Sequence, residues 1–372
     1  MDVTRKQMAR LAYIDALRIG AVLWLVPFHT ARIYDIWEPN YVKSGELSAG
    51  LSAIIGCSGP WHMPLFFVLA GASTFLALNV RTGGQYLAER TLRLLVPLLA
   101  GILLLVPIQP YYALLDHGTP PGSYLQFLAG YFIIDPHDLT GYSGSFTPSH
   151  LWFILYLFLF SILLLPLFLY VRSNAGKHFI TRLAGLCSVP GLIFLFIIPL
   201  ALTELLPAPG GKNPFFYALC FIFGFVIMCD EGFQKIIGAH KKVALIAGVP
   251  ALTAVVTVWL MKVPLNGITP SSVVFALVRH FAGFALILAL LGYGRAWLDR
   301  DFPWLGFASR IAFTFYILHQ IVIVVAGYYI IRLVPEVYAG FVLICLISFL
   351  VTAGLCRVTM ISPVTRFLSG MK

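Results

Sequence analysis

The chain alternates between long apolar stretches and short polar segments along its whole length. Ten stretches hold about 20 mostly apolar residues each, the length that an α-helix needs to cross a bilayer. A further apolar piece at 122–134 is too short to span and is predicted to be interfacial or re-entrant. The pattern predicts an all-α, polytopic membrane helix bundle of about ten transmembrane helices. The predicted spans are 12–34, 55–79, 92–115, 150–171, 184–206, 214–232, 243–262, 271–292, 308–333 and 337–360.

The composition supports a membrane protein and narrows its organisation. The 372 residues are 60% hydrophobic and 11% charged, whereas soluble domains carry about 25% charged residues. We find no fixed-period repeat and no separate soluble stretch, so residues 1–372 are predicted to form a single membrane domain. The charged N-terminus lacks a small-residue cleavage site after a short apolar core, so no cleaved signal peptide is expected. The six cysteines lack metal or disulfide spacing, and no metal is predicted.

The net charge of +10 follows a topological pattern. With the N-terminus inside, six inner segments hold three Lys or Arg residues each, 18 in all, and the outer segments hold 4 of the 25. The first inner segment contributes Arg5, Lys6 and Arg10, and the last one includes Lys372. Because cytoplasmic loops of membrane proteins are enriched in Lys and Arg, both termini are predicted to be cytoplasmic. The basic excess therefore indicates a multi-pass protein of the cytoplasmic membrane and no nucleic-acid partner.

The first predicted span carries four ionisable side chains, Asp15, Arg18, His29 and Arg32. An ionisable group at the bilayer centre costs roughly 2.5–3.5 kcal/mol on insertion scales. A helix that merely anchored the protein would avoid them, so this helix is predicted to line a polar cavity. The alternative is an inter-helix salt bridge that only fixes packing.

His29 is the first candidate for chemistry, because histidine takes and returns a proton near neutral pH. It follows Pro27, which frees a backbone carbonyl one turn earlier and can kink the helix. Arg18 lies 11 residues before His29, on nearly the same helix face and about 16 Å away along the axis. Asp15 precedes Arg18 by three residues and can pair with it across one turn.

Arg90 and Arg93 form an i, i+3 pair at the cytoplasmic entry of the third span. Two guanidinium groups on one helix face suit the binding of phosphate groups. Paired arginines at an inner helix end are also ordinary topology anchors, and this alternative stays open.

Further polar side chains begin or interrupt other spans. Trp61 and His62 open the second span, where Gly71 and its small neighbours permit close helix approach. His62 is interpreted as a packing or hydrogen-bonding residue rather than a catalyst. The outer loops at 35–53 and 116–149 are polar and aromatic, which suits a carbohydrate-like ligand, although solvated loop surface is an equal alternative. The remaining motif residues are His150 and Trp152, His319, and the pair Arg279 and His280, interpreted as structural.

Taken together, these motifs resemble the acyltransferase-3 family of membrane acyltransferases. The resemblance rests on Arg18-x10-His29, Trp61-His62-Met63-Pro64-Leu65-Phe66-Phe67, Arg90-x-x-Arg93, His150-Leu151-Trp152-Phe153 and Phe315-Tyr316-Ile317-Leu318-His319. Pro27-Phe28-His29 with Ile33-Tyr34 looks closest to the branch of the periplasmic glucan succinyltransferases. Residues 172–300 carry almost none of the resemblance, and we expect the chain to lack the soluble hydrolase-like domain of some family members.

The resemblance implies a reaction in which cytoplasmic acyl-CoA delivers its acyl group to a hydroxyl of an extracytoplasmic glycan or glycolipid. It implies that His29 is the catalytic histidine and that Arg18, Arg90 and Arg93 belong to the set for activity and donor binding. We add Asp15 to the catalytic group as the partner of Arg18. Trp61, His62, His150, Trp152 and His319 are assigned to substrate contact. Acyl-CoA is expected as a co-substrate, without a permanently bound cofactor.

Several alternatives stay open at this stage. The main one is a transporter or flippase for an anionic lipid-linked glycan intermediate, which would use the same buried charges as a path. Against it, we find no corresponding Gly- or Pro-broken segments in two halves of the chain. A structural scaffold is a third reading. The sequence leaves open whether the acyl group is acetyl or succinyl, and which acceptor takes it. It also leaves open the oligomeric state, for which a homodimer is one candidate, and the choice between direct transfer and an acyl-enzyme route.

Overall fold

The structure, a computed structural model, describes residues 11–37, 39–265 and 267–371. Arg5, Lys6, Arg10 and Lys372, which entered the charge count, lie outside the described residues. The described chain is helical, with no strand among its described residues. The helices are α1 Ala12–Tyr34, α2 Ala49–Ser58, α3 His62–Val80, α4 Gly83–Arg90, α5 Val96–Leu104, α6 Ile108–Asp116, α7 Tyr124–Tyr131, α8 Trp152–Leu163, α9 Leu165–Val171, α10 Asn174–Cys187, α11 Ile197–Leu202, α12 Pro214–Cys229, α13 Glu231–Leu260, α14 Pro270–Leu298, α15 Leu305–Leu333, α16 Val337–Thr359 and α17 Pro363–Leu368.

The prediction of an all-α bundle with about ten spans is confirmed. In the described part of the chain, eight helices are long and apolar enough to cross a membrane, and two bent helix pairs raise the number to ten. The short piece predicted at 122–134 contains α7, which is only 8 residues long. Its start is fixed by Ser123, which forms a reciprocal capping box with Gln126.

The fifth predicted span, 184–206, differs from a simple straight helix. It consists of α10 and the stretch Leu192–Leu205, which meet at an angle of 120°. The break has a local cause: Pro190 lacks an amide hydrogen, and Gly191 has a φ of +86°, which favours glycine. The fourth span is bent by 54° between α8 and α9, where Pro166 lies in the first turn of α9.

The second and third spans also contain local breaks. Gly59, Pro60 and Trp61 separate α2 from α3, yet the two helices continue as one span, Ala49–Val80. Between α4 and α5 the chain forms a π-helical turn at Thr91–Leu95. Such wider turns are frequent at functional sites, and this one contains Arg93.

The centre of the bundle is formed by α1, α3 and α15, whose spans are more than half buried, whereas α13 and α16 are largely exposed on the surface. The prediction of close helix approach at Gly71 is confirmed. A Cβ atom at Gly71 would lie 2.0 Å from the Phe221 carbonyl oxygen, and one at Gly224 would lie 1.9 Å from that of Val68. Two glycines therefore let the backbones of α3 and α12 touch.

Candidate active site

Three helices and one turn bring four histidines into one region of the bundle, and we name His29, His62, His150 and His319 the histidine cluster. The ring centroid of His319 lies 5.2 Å from that of His29 and 5.5 Å from that of His150. The Phe28 ring lies between His29 and His62, with its centroid 5.0 Å from that of His29 and 5.9 Å from that of His62. Residues that are far apart in the sequence thus meet beside the C-terminal half of α1.

The hydrogen bonds of the cluster distinguish its members. Nε2 of His62 donates to the Ala21 carbonyl at 2.8 Å, and Nε2 of His150 donates to the Ile317 carbonyl at 2.9 Å. Nδ1 of His150 lies 3.2 Å from the Gln109 amide nitrogen, which donates to it. The neutral His150 ring is therefore bonded at both nitrogens, as expected for a residue that is held in place.

His319 has a different pattern. Its Nδ1 lies 2.6 Å from the Tyr316 carbonyl oxygen, which only accepts, so Nδ1 carries the hydrogen. In the neutral ring, Nε2 is then a bare acceptor. Nε2 is buried and has no hydrogen-bond partner among the described residues. A buried acceptor without a donor is costly in a folded protein and suggests a place for a ligand.

His29 retains intermediate solvent accessibility, in contrast to the buried His62, His150 and His319. Its described contacts are the ring contacts with Phe28 and His319. A histidine that is accessible inside the bundle, beside a bare imidazole nitrogen, has the chemistry to accept a proton from a bound molecule.

Gln109 is a member of the site that the sequence analysis missed. It is fully buried, donates to His150 and accepts a hydrogen bond from the Ser149 hydroxyl at 2.8 Å. The Tyr41 hydroxyl lies 2.9 Å from the same Ser149 oxygen, so this polar chain reaches the loop that follows α1. A signal was present, because Gln109 is a polar residue between two prolines in an apolar span.

The predicted pair of Asp15 and Arg18 is present, with 2.9 Å between Nη1 of Arg18 and the carboxylate. Nη2 of Arg18 also donates to the Ser73 hydroxyl at 2.6 Å. Arg18 therefore faces α3, whereas His29 faces α15. Arg32, the other cation of α1, pairs with the buried Asp35 at 2.8 Å at the opposite end of the helix.

An ionic group holds the C-terminal end of α1 in place. The Lys43 ammonium lies 2.9 Å from the Asp35 carboxylate, opposite Arg32. Burial lowers the pKa of Lys43, and the Asp35 carboxylate acts in the opposite direction. Burial also raises the pKa of the nearby Tyr41 well above its usual value. These groups fix the loop that follows α1.

Arg90 and Arg93 lie near each other but have different partners. Glu89 accepts from Arg81 at 2.7 Å and from Arg93 at 3.2 Å. The Arg90 guanidinium lies 4.9 Å from the centroid of the Tyr86 ring. The carboxylate of Glu89 neutralises part of the positive charge of this group, which the sequence analysis did not anticipate.

Of the two tryptophans assigned to substrate contact, Trp61 packs edge-on against the ring of His62, with 5.5 Å between the ring centroids. The described ring contacts of Trp152 are with Phe67, Tyr156 and Tyr217. The Trp61 indole donates to the Cys57 carbonyl at 2.7 Å. Trp152 packs with Tyr217 at 4.9 Å between ring centroids and has the Lys212 ammonium 5.8 Å from its ring. Their described contacts are typical of helix capping and aromatic packing.

Arg279 and His280, interpreted as structural, have Glu204 as a common partner. The Glu204 carboxylate accepts from Arg279 and, at 2.8 Å, from Nε2 of His280. This ion-pair group joins α14 to the end of the broken fifth span.

The fold and the site together define a multi-pass helical membrane protein with titratable side chains assembled inside its bundle. A family model described as an acyltransferase domain matches residues 11–353. The chain therefore belongs to the acyltransferase-3 family and is a membrane acyltransferase. Comparisons with curated proteins and with solved structures give no match.

Proposed function

We propose that the protein is an O-acyltransferase that moves an acetyl or succinyl group from cytoplasmic acyl-CoA to a hydroxyl of an extracytoplasmic glycan or glycolipid. The proposal includes a position in the cytoplasmic membrane with both termini inside, and the glucan succinyltransferase branch of the family. The observation that carries it is the contact between His29 and His319, whose Nε2 is a buried acceptor without a described partner.

In the proposed reaction His29 is the general base. Its imidazole takes the proton of the acceptor hydroxyl, and the oxygen forms a bond to the thioester carbonyl carbon. The bond between this carbon and the CoA sulfur then breaks, and the thiolate takes the proton from the imidazolium. Direct transfer is the simplest route, because the six cysteines lie outside the described contacts of the histidine cluster.

His319 is proposed to contact the acceptor. A sugar ring carries several hydroxyls, and one next to the reacting hydroxyl would donate to the bare Nε2 of His319 while His29 takes the proton. His150 and His62, which are bonded to backbone carbonyls, hold the walls of this space. Trp61 and Trp152 would contribute through packing.

The donor is proposed to enter from the end of the bundle where Arg18, Arg90 and Arg93 lie. CoA carries phosphate groups, and guanidinium groups bind phosphate with two parallel hydrogen bonds. Asp15 and Ser73 orient Arg18. The long, thin pantetheine arm would then present the thioester towards His29.

One assay separates an acyltransferase from a transporter. Purified protein in detergent, mixed with acetyl-CoA or succinyl-CoA and a glucan, should release free CoA and yield acylated glucan. A transporter needs two compartments, so activity that appears only as glycolipid movement in proteoliposomes would contradict the proposal. His29→Ala should lose this activity. His178→Ala is its matched control, because His178 is an exposed histidine in α10. It should retain the wild-type rate.

A second assay tests the role of His319. With the glucan replaced by sugars that lack one hydroxyl beside the reacting one, the wild-type rate should fall by tenfold or more, because a site built to bond a hydroxyl rejects the analogue without it. The His319→Leu variant should react slowly and discriminate less between the two acceptors. Equal discrimination by wild type and variant would remove His319 from acceptor contact.

A further inference from the structure

The bundle contains an apolar cavity of about 270 Å³ on the side of α3 away from the histidine cluster. It lies between α3, α9, α12, α14 and both arms of the broken fifth span. His280 is the one polar side chain among the described residues that line it. A dry cavity of roughly 150 Å³ lined by Leu, Ile and Phe is large enough to bind benzene, so this cavity has room for a longer hydrocarbon.

The shape of the apolar cavity matches a lipid chain. Its lining on α12 extends from Phe216 to Val226, which is about 15 Å at the rise of an α-helix. This is half of the roughly 30 Å hydrocarbon core, the thickness of one leaflet. Phe179 and Leu167 line the cavity and are 61% and 39% exposed, so the cavity opens towards the membrane.

A second pocket of about 450 Å³, the basic pocket, lies at the end of the apolar cavity. Val171 lines both, and Cys229, one turn beyond Val226 on α12, lines the basic pocket. Its charged side chains are Arg172 and Lys177, accompanied by Ser173 and Asn79. Cations and neutral polar groups at one end of a hydrocarbon slot fit an anionic headgroup.

From this juxtaposition we infer a binding site for one anionic phospholipid. The phosphate contacts Arg172 and Lys177 in the basic pocket, and one acyl chain fills the apolar cavity. The two arms of the bent fifth span form part of the wall, so the lipid completes the bundle where that span is interrupted. This site is distinct from the acyl-CoA site proposed above and does not depend on it.

Native mass spectrometry of the purified, delipidated protein tests the inference. Dioleoylphosphatidylglycerol should bind at one site more tightly than dioleoylphosphatidylcholine. In the Arg172→Gln/Lys177→Gln variant this preference should fall, by about fivefold for each charge removed. The matched control Lys235→Gln/Lys242→Gln, which changes two cations of α13 outside the basic pocket, should retain it.

A change in the apolar cavity tests the other half of the site. Leu183→Trp, or Leu219→Phe if the first variant fails to fold, should weaken the binding of both lipids. The inference is overturned if wild type shows no preference for phosphatidylglycerol. It is likewise overturned if the control substitutions lower this preference as much as Arg172→Gln/Lys177→Gln does. It is also overturned if the site takes oleoyl-CoA and refuses phosphatidylglycerol.

Discussion

The histidine cluster and residues 172–300 belong to the same bundle but are built from different side chains. The cluster brings polar rings, a buried amide and backbone carbonyls together around α1, α3 and α15. The other region is mostly aromatic and aliphatic around a cavity, and it contains the ion-pair group in which the exposed Glu204 bonds Arg279 and the buried His280. The motifs that resemble the family lie almost entirely outside residues 172–300, so we propose that the chemistry takes place in the first region.

The largest expected effect concerns the contact between α3 and α12 at Gly71 and Gly224, where the two regions meet. Gly71→Leu or Gly224→Leu would place a side chain against a backbone carbonyl of the other helix. Overpacking costs about 1–3 kcal/mol even where neighbours can shift, and backbone shifts less than a side chain, so both variants should lose the folded state. Thermal unfolding and size-exclusion chromatography in detergent measure this.

The control for this contact is Gly238→Ala in α13, because a Cβ there meets nothing within 4 Å. This variant should be as stable as wild type or up to about 1 kcal/mol more stable. Wild-type melting temperatures for both leucine variants would show that the two regions are not held together at this contact.

The second prediction concerns donor binding. Arg90→Ala should weaken acyl-CoA binding by roughly tenfold or more, since a hydrogen bond to a charged group is worth about 1.5–3 kcal/mol. Arg90→Lys should restore only part of the affinity because lysine lacks the two-pronged geometry. Arg300→Ala is the control, because Arg300 also lies 4.9 Å from an aromatic ring, that of Phe302. Equal losses at Arg90 and Arg300 would favour simple topology anchors.

The third prediction compares the two arginines of α1. Both pair with an aspartate three residues away, but only Arg18 is assigned to the reaction. Arg18→Lys should lower kcat/KM for acyl-CoA about tenfold, because lysine cannot bond Asp15 and Ser73 in the same geometry. Arg32→Lys should affect mainly stability. Steady-state kinetics that show equal losses for both would remove Arg18 from the donor site.

The smallest effect is expected at Tyr131, the last residue of α7. Burial raises the pKa of its hydroxyl to about 12 from an ordinary value of 10.0. The folded state therefore binds this proton more tightly than the unfolded state does. The resulting contribution to the free energy of unfolding is complete below about pH 10 and is lost as the pH rises towards 12. Tyr131→Phe should remove this part of the pH dependence, as measured by unfolding across that range. An unchanged profile would contradict the assignment to Tyr131.

The sequence predicted the bundle well because membrane-spanning helices need a length and an apolarity that can be counted. It also predicted the pair of Asp15 and Arg18, since ionisable groups inside a membrane are costly and stand out. The role of His29 stays a prediction. The close contact at Gly71 followed from residue size. In each case the signal is local to one helix.

The rest depends on which helices meet. The contact between His29 and His319 joins residues 290 positions apart, and nothing in either helix specifies it. The bare Nε2 of His319 depends on a bond to the Tyr316 carbonyl that the sequence does not show. Likewise, the partnership of Glu89 with Arg93 depends on their placement in the fold. The 120° bend had a local signal in Pro190-Gly191, which a count of apolar residues over 184–206 does not register.

The central claim is that acyl transfer takes place at His29. The most direct measurement is the rate at which acylated glucan forms, followed by mass spectrometry, for wild type and His29→Ala at equal acyl-CoA occupancy. Loss of a general base typically costs about 10²–10⁴-fold in rate. We expect a loss of this size, with acyl-CoA affinity and melting temperature unchanged. A His29→Ala protein that acylates glucan at near wild-type rate would contradict the account.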